Sequence, residues 1–290
     1  MGNDWLDRDL YPFVGRDVPL PGGSRMHVLD AGSGPPVLLV HGTPSWSFEW
    51  RHIVAGLSSG FRCIAPDHLG FGLSDRPADA DYTPEAHADR LRDLVASLDV
   101  RGITLVVHDF GGLIGLPLAL GPGSPVRRLV VINSWMWNLG EDPRVARIAR
   151  LLGGRAGRLA YERLNLSLRV LMPGAYADRK KLTPAIHRHY LAPFADRRSR
   201  GLVLWPMARA LLGSAAHANR LWESRWALAG IPTLIIWGTR DPALGAHQLQ
   251  RWREALPSAR VVELPVGHWP HEESPEAVLT PLREFLEAEA

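Results

Sequence analysis

The sequence of 290 residues contains a single cysteine, Cys63, and no run of 18 consecutive apolar residues. One cysteine forms no internal disulfide, which favours a reducing compartment, and a chain of this length can bury a stable core without disulfides or metals. Without a long apolar run we expect no transmembrane span. The polar residues 1–8 lack the pattern of a secretory signal. Together these features predict a cytoplasmic protein.

Lysine is also scarce, since Lys180 and Lys181 are the only basic residues among 33 that are not arginine. The net charge of +3 is unevenly spread, because residues 141–230 contain 17 basic and 6 acidic side chains. A solvated, arginine-rich helical surface accounts for this excess, and a surface that attracts anionic ligands or an acidic partner is the alternative. No helix-turn-helix, zinc-finger or RNP pattern accompanies the charge. We therefore expect neither nucleic acid nor a membrane as a partner.

Short apolar runs alternate along the chain with longer amphipathic segments. Near-continuous apolar strands are typical of a parallel sheet that is covered on both faces, and strands alternating with helices favour a doubly wound α/β fold. Thr83 before Pro84 predicts the start of one of these helices. The predicted strands are residues 37–40, 63–65, 103–107, 129–132 and 233–237, with a flanking antiparallel strand at 25–30 and a last central strand at 261–264.

The alternation stops after the strand at 129–132 and resumes only at residue 231. Residues 141–230 are rich in Arg, Leu and Ala, are punctuated by proline and contain no strand-like run. We therefore predict an α/β core formed by residues 1–140 and 231–290, interrupted by an inserted helical cap at 141–230.

Three reactive side chains follow predicted strands, where α/β sheets bind their ligands. Asp109 lies between a strand and the glycines of residues 110–112, a strand–turn–helix context in which esterases carry a nucleophilic serine. His268 follows the last strand and suits a general base. Asp241 lies in a loop after the strand 233–237, where a carboxylate would orient His268 and stabilise its imidazolium form. Together these positions predict a catalytic triad of Asp109, His268 and Asp241.

A fourth segment, residues 41–44, follows the strand 37–40. The backbone N–H groups of Thr43 and Phe110 would form a two-donor oxyanion hole. We expect His41 to pack and to form hydrogen bonds rather than to act as a second base. Nothing in the sequence indicates a metal or an organic cofactor, so we expect neither.

Four segments carry a resemblance to a known family. The chain resembles the α/β-hydrolases of the haloalkane dehalogenase and epoxide hydrolase superfamily from about residue 11 to residue 286, least within 141–230. The matching segments are HGTPSWSF at 41–48, PDHLGFGLSD at 66–75, VHDFGG at 107–112 and GHWP at 267–270.

The resemblance implies a hydrolase without a cofactor that acts on a small apolar organic substrate and water. Asp109 would attack an sp3 carbon and form an alkyl ester, which water activated by His268 would hydrolyse. The family usually places a tryptophan N–H beside the nucleophile to bind a departing halide, whereas this chain has Phe110. Thr43 stands where some members carry Asn or Glu. Further candidates for contacts with the leaving group or the substrate are Trp135, Trp137, Trp205, Tyr161, Tyr176 and Tyr190.

Other activities fit the same triad. Epoxide hydrolases of this superfamily use cap tyrosines to protonate the ring oxygen, and Tyr161, Tyr176 and Tyr190 lie in the predicted cap. Enzymes that open β-lactones resemble dehalogenases, and residues 9–13 are similar to theirs. A ligand-binding protein without turnover is the alternative from another class, because a fold and a triad do not guarantee catalysis.

Overall fold

The computed structural model describes residues 5–288. Its centre is one eight-stranded sheet, and most central strands are fully buried because they carry apolar side chains on both faces. The strands are β1 Gly15–Pro19, β2 Arg25–Ala31, β3 Pro36–Val40, β4 Arg62–Pro66, β5 Ile103–Asp109, β6 Val126–Ser134, β7 Thr233–Gly238 and β8 Arg260–Leu264.

The strand order is β1-β2-β4-β3-β5-β6-β7-β8. β1 and β2 run antiparallel to their neighbours, and β3 to β8 pair in parallel. The predicted α/β-hydrolase fold with a mostly parallel sheet is therefore confirmed. The sequence analysis missed β1, whose side chains are mostly exposed and form no apolar run.

Helices alternate with the strands along the sequence. In the first half of the chain they are α1 Arg51–Leu57, α2 Pro84–Ser97, α3 Gly111–Gly115 and α4 Pro117–Leu120. The Thr83 side chain accepts a hydrogen bond from the backbone N–H of Ala86 at the start of α2, as predicted for an N-cap.

Helical segments alone connect β6 to β7 in the described structure. The α-helices are α5 Pro143–Gly153, α6 Arg155–Leu164, α7 Met172–Ala175, α8 Pro184–Leu191, α9 Arg197–Ser199, α10 Trp205–Gly213 and α11 Ala215–Glu223. Two π-helical turns, Ser167–Leu171 and Arg200–Leu204, interrupt them. The assignment of residues 141–230 as a cap stays a prediction; we call this segment the helical insertion.

After β7 the chain forms α12, then the last strand β8, and ends in two further helices. The last helices are α12 Ala246–Ala255, α13 Pro270–Glu273 and α14 Pro275–Glu287. None of the helices within residues 5–288 has the length and apolar character that a bilayer span requires. The carboxyl ends of β5, β7 and β8 lie at one edge of the sheet, and each leads into a segment with a predicted triad residue.

Candidate active site

Asp109 occupies a sharp bend at the end of β5. Its φ angle of +52° lies in the left-handed region, which non-glycine residues adopt rarely and mostly at turns and functional sites. The bend is fixed by a hydrogen bond from the Ser134 hydroxyl to the Asp109 carbonyl oxygen (2.6 Å). α3 begins two residues later, so the carboxylate stands at the junction between strand and helix.

The carboxylate of Asp109 is held on the side of residues 42–43. Its Oδ1 accepts a hydrogen bond of 2.8 Å from the Thr43 backbone N–H. A Cβ atom at Gly42 would lie 2.2 Å from the same oxygen, so only glycine permits this approach. Thr43 thus fixes the position of Oδ1 and leaves Oδ2 on the side of His268.

His268 lies between two carboxylates. Its Nε2 is 3.2 Å from Asp109 Oδ2, and its Nδ1 is 2.6 Å from Asp241 Oδ2. Asp241 is buried, and its other oxygen accepts the backbone N–H groups of Ala243 (2.8 Å) and Leu244 (3.1 Å). The structure thus brings the three residues of the predicted triad together in the order nucleophile, histidine, acid.

The charges in this group raise the pKa of His268. Burial alone would lower it, but the Asp241 carboxylate and the hydrogen bond to Asp109 outweigh burial and raise the pKa to about 10. Burial also acts to raise the pKa of Asp241, and the proximity of His268 overcomes this and lowers it. In the unreacted protein, His268 is therefore an imidazolium between two carboxylates.

A buried pair that sequence analysis missed, His108 and Glu49, contacts the backbone of His268. The Nε2 of His108 is 2.9 Å from the His268 carbonyl oxygen, and its Nδ1 is 3.2 Å from Glu49 Oε1. The position of His108 directly before Asp109 was the available sequence signal, but nothing local links Glu49 to it.

Asn133 is another missed member of the site. Its amide Nδ2 donates to Asp241 Oδ2 (2.8 Å), and its Oδ1 accepts the Gly238 backbone N–H (2.7 Å). Asn133 therefore orients the acid that orients His268. Its location at the end of β6, beside the end of β5, was the sequence signal for this role.

Two of the candidate contact residues lie near Asp109. Tyr161, on α6, is buried, and burial together with the Asp109 charge raises its pKa to about 12, although a hydrogen bond to Ser167 acts in the opposite direction. Its hydroxyl therefore keeps its proton and can donate it. The Trp135 ring packs edge-on against Phe110, with the ring centroids 4.9 Å apart.

Two other candidates use their polar atoms elsewhere. The Trp137 Nε1–H donates to Gln248 Oε1 (2.7 Å), and the Tyr190 hydroxyl donates to Glu272 Oε1. Both side chains are fully buried. We therefore assign neither a contact with the leaving group.

The last two candidates flank the site or lie within the helical insertion. Tyr176 stacks on Trp269, which follows His268, with centroids 5.3 Å apart. The Trp205 ring lies between the guanidinium groups of Arg158 and Arg209, 4.8 and 5.0 Å from its centre. The Trp205 Nε1 and the Thr43 hydroxyl are buried and have no hydrogen-bond partner within residues 5–288.

One group of side chains has a donor set that metals use. Glu49, His108 and His271 bring one carboxylate oxygen and two ring nitrogens within 4.8 Å of one another, and all three are buried. Burial acts to raise the pKa of Glu49, but the neighbouring His108 outweighs burial and lowers this pKa well below its usual range. We interpret the cluster as a hydrogen-bonded part of the core.

Comparisons with known proteins show what this chain is similar to. The model of the family described as "alpha/beta hydrolase fold" matches residues 35–275. A cis-3-alkyl-4-alkyloxetan-2-one decarboxylase of Xanthomonas campestris pv. campestris is 37% identical, and the alignment covers 96% of this chain and 97% of the relative. Haloalkane dehalogenase 2 of Mycobacterium tuberculosis is 34% identical over 94% of both chains.

Solved structures show the same relationship. The crystal structure of a tyrosine-to-tryptophan mutant of the haloalkane dehalogenase DatA from Agrobacterium tumefaciens superposes with a TM-score of 0.87. It is 26% identical to this chain and covers 98% of this chain and 100% of its own.

Proposed function

Because this chain belongs to the α/β-hydrolase family and is haloalkane dehalogenase-like, we propose that it is a hydrolase that acts at an sp3 carbon of a small apolar molecule. Asp109 is the nucleophile, His268 the base and Asp241 the acid that orients the base. The observation that carries the proposal is the position of His268, 3.2 Å from Asp109 and 2.6 Å from Asp241.

In the first step, Asp109 Oδ2 attacks the carbon that bears the leaving group. An oxygen–carbon bond forms, the bond to the leaving group breaks, and the leaving group departs with the electron pair. This step needs no base, because the nucleophile is already a carboxylate.

In the second step, a water molecule hydrolyses the ester. Ester formation removes the charge of Asp109, one of the two carboxylates that raise the pKa of His268. This pKa therefore falls, the imidazolium releases its proton to solvent, and the neutral ring can accept a proton from the attacking water. The water attacks Cγ of Asp109. The negative charge then develops on Oδ1, where the Thr43 N–H already donates and the Phe110 N–H is the second donor. Collapse of this intermediate breaks the bond between Cγ and the alkyl oxygen, which takes the proton back from His268 and leaves as the alcohol.

The leaving group needs a donor other than the residue beside the nucleophile, since Phe110 has no side-chain N–H. The hydroxyl groups of Thr43 and Tyr161 are the candidates supported by their positions. Thr43 binds Asp109 through its backbone, and the Tyr161 phenol lies within the influence of the Asp109 charge. Hydroxyl donors suit a halide and an oxygen leaving group alike.

We expect a His268→Ala variant to stop after the first step. Incubated with 1-bromobutane, it should release one equivalent of bromide and gain the mass of one butyl group, because the ester forms but no base activates water. Intact mass spectrometry measures the gain, and peptide mapping locates it on Asp109.

The matched control is the double variant His268→Ala/Asp109→Asn, which should gain no mass. A butyl group on another residue would contradict the mechanism. A wild-type protein that releases no bromide from any haloalkane would overturn dehalogenation as the activity.

A second function is favoured by two relatives and by Phe110. The name of the decarboxylase from Xanthomonas campestris includes an oxetan-2-one, which is a β-lactone. If Asp109 attacks the sp3 carbon bonded to the ring oxygen of a β-lactone, that C–O bond breaks and the leaving group is a carboxylate attached to the same molecule. Loss of CO2 from this carboxylate pushes its electron pair into a new C=C bond and expels the Asp109 carboxylate. This path needs neither a halide donor nor water.

The products separate these functions. We expect bromide and alcohol from 1-bromobutane if the dehalogenase function holds, and an alkene with CO2 from a cis-dialkyl β-lactone if the second function holds. A diol from styrene oxide would instead favour epoxide hydrolysis with Tyr161 as the proton donor. Binding of all three substrates without any product would favour the ligand-binding alternative. Gas chromatography and halide titration on one enzyme preparation measure all products.

A further inference from the structure

Exposed apolar side chains are concentrated on one part of the helical insertion. Of the eight large hydrophobic residues that are exposed within residues 5–288, six lie between residues 148 and 171. Leu151 and Leu164 are each 66% exposed, which is unusual for leucine. We call these six residues the apolar cap surface: Ile148, Leu151, Leu159, Leu164, Val170 and Leu171.

Helical geometry places part of this surface on the outer face of α5. At about 100° per residue, Arg144, Arg147, Ile148 and Leu151 fall within an arc of about 100°. All four are exposed, whereas Ala146 and Ala149 on the other side of α5 are buried. The outer face of α5 is therefore apolar and cationic at the same time.

α6 contributes Leu159 to the exposed side of the helical insertion. Leu159 and Tyr161 are two residues apart, so they project about 200° from each other around the helix. Tyr161 is buried, and Leu159 is 47% exposed. Leu159 therefore lies on the outward side of α6.

The charge around the apolar cap surface is almost entirely positive. The sequence from residue 143 to 171 has one acidic side chain, Glu162, which Arg158 and Arg197 bind by salt bridges. The arginines of this stretch are Arg144, Arg147, Arg150, Arg155, Arg158, Arg163 and Arg169.

We propose that the apolar cap surface and its arginines bind peripherally to an anionic lipid surface. Helices that combine exposed leucine and isoleucine with arginine and lack acidic residues lie in the interface of a bilayer, with their apolar side chains below the headgroups and their cations among the phosphates. Contact with a second copy of this chain is disfavoured, because a symmetric contact would bring the same arginines against each other.

This proposal revises, for peripheral contact, the expectation that a membrane is not a partner. Lipid binding itself does not depend on the chemistry proposed for Asp109, so the two can fail separately.

Vesicle sedimentation tests the proposal with the full-length protein. We expect binding to vesicles of equal parts phosphatidylcholine and phosphatidylglycerol, weak binding to phosphatidylcholine alone, and release by 1 M salt, at which the screening length is about 3 Å. Binding of equal strength to both vesicle types would overturn the role of the arginines.

Two variants probe the two components of the surface. Arg144→Ala/Arg147→Ala should weaken binding to the anionic vesicles about fivefold for each arginine, and Ile148→Glu/Leu151→Glu should weaken it about tenfold or more. Circular dichroism and the melting temperature check that each variant folds, and unchanged turnover of a water-soluble substrate checks the site.

The matched controls lie on the α/β core. Arg92→Ala/Arg101→Ala removes two exposed arginines, and Val14→Glu replaces a side chain that is 82% exposed. Both should bind vesicles as the wild type does. Loss of binding in the controls, or its retention in both cap variants, would overturn the proposal. A dimer that Leu151→Glu dissociates, with no vesicle binding, would identify a second copy as the occupant instead.

Discussion

An Asp109→Asn variant is expected to lose at least about 10⁴-fold in turnover on every substrate that the protein accepts, because it lacks the carboxylate that we propose as the nucleophile. Asparagine has nearly the same shape and also tolerates the left-handed backbone at this position, where φ is +52°. The variant should therefore fold like the wild type. Steady-state turnover and the melting temperature measure the two effects, and intact mass confirms that the amide persists.

The same variant should change the titration of His268. The pKa of His268 is raised to about 10 by Asp241 and by Asp109, against the effect of burial. Without the Asp109 charge we expect this pKa to fall by about one to three pH units, the usual effect of one nearby opposite charge. NMR titration of the histidine side chains measures it.

A matched control separates this local effect from a general change in charge. Asp89→Asn removes an exposed carboxylate on α2, whose side chain is 67% exposed. It should leave both the turnover and the pKa of His268 unchanged. If the Asp109→Asn variant retains turnover, the covalent mechanism is wrong. If the pKa of His268 is unchanged in this variant, loss of the Asp109 charge does not explain how His268 becomes a base in the second step.

The sequence was sufficient for the elements that follow from local patterns. β5 and β7 are runs of apolar, largely β-branched residues, and burial on both faces requires such runs. Asp109 and His268 are predictable because parallel strands bring their carboxyl ends to one edge, so residues that directly follow different strands become neighbours. The edge strand β1 has no such pattern, and it was missed.

Contacts between distant segments could not be predicted in the same way. Glu49 and His108 are 59 residues apart, and nothing around Glu49 indicates that it is buried beside the histidine. The candidate aromatic residues differ in role for the same reason, since a tertiary contact with Gln248 occupies the N–H of Trp137 and a contact with Glu272 occupies the hydroxyl of Tyr190.

A Glu272→Leu variant is expected to destabilise the protein by about 3–5 kcal/mol, because it leaves the buried guanidinium of Arg51 without its counter-charge. The side chains of Arg51 and Glu272 are only 4% and 1% exposed, and they form two parallel hydrogen bonds, one of which measures 2.7 Å. Tyr190 of α8 donates to the same carboxylate. The pair therefore joins α1, the segment after His268 and the helical insertion, and urea unfolding measures its loss.

Two comparisons show whether the unpaired charge is the cause. The double variant Arg51→Met/Glu272→Leu removes both charges and should recover much of the lost stability, since apolar side chains can replace a buried ion pair at little cost. Glu263→Ala breaks the exposed pair with Arg253, whose partners are 46% and 42% exposed, and should cost less than about 1 kcal/mol. If the double variant is no more stable than the single one, lost packing rather than the uncompensated charge of Arg51 explains the effect.

A loss of stability below about 1 kcal/mol in Glu272→Leu would mean that water or a rearranged side chain satisfies Arg51. The ion pair would then contribute little to the packing of the helical insertion against the core.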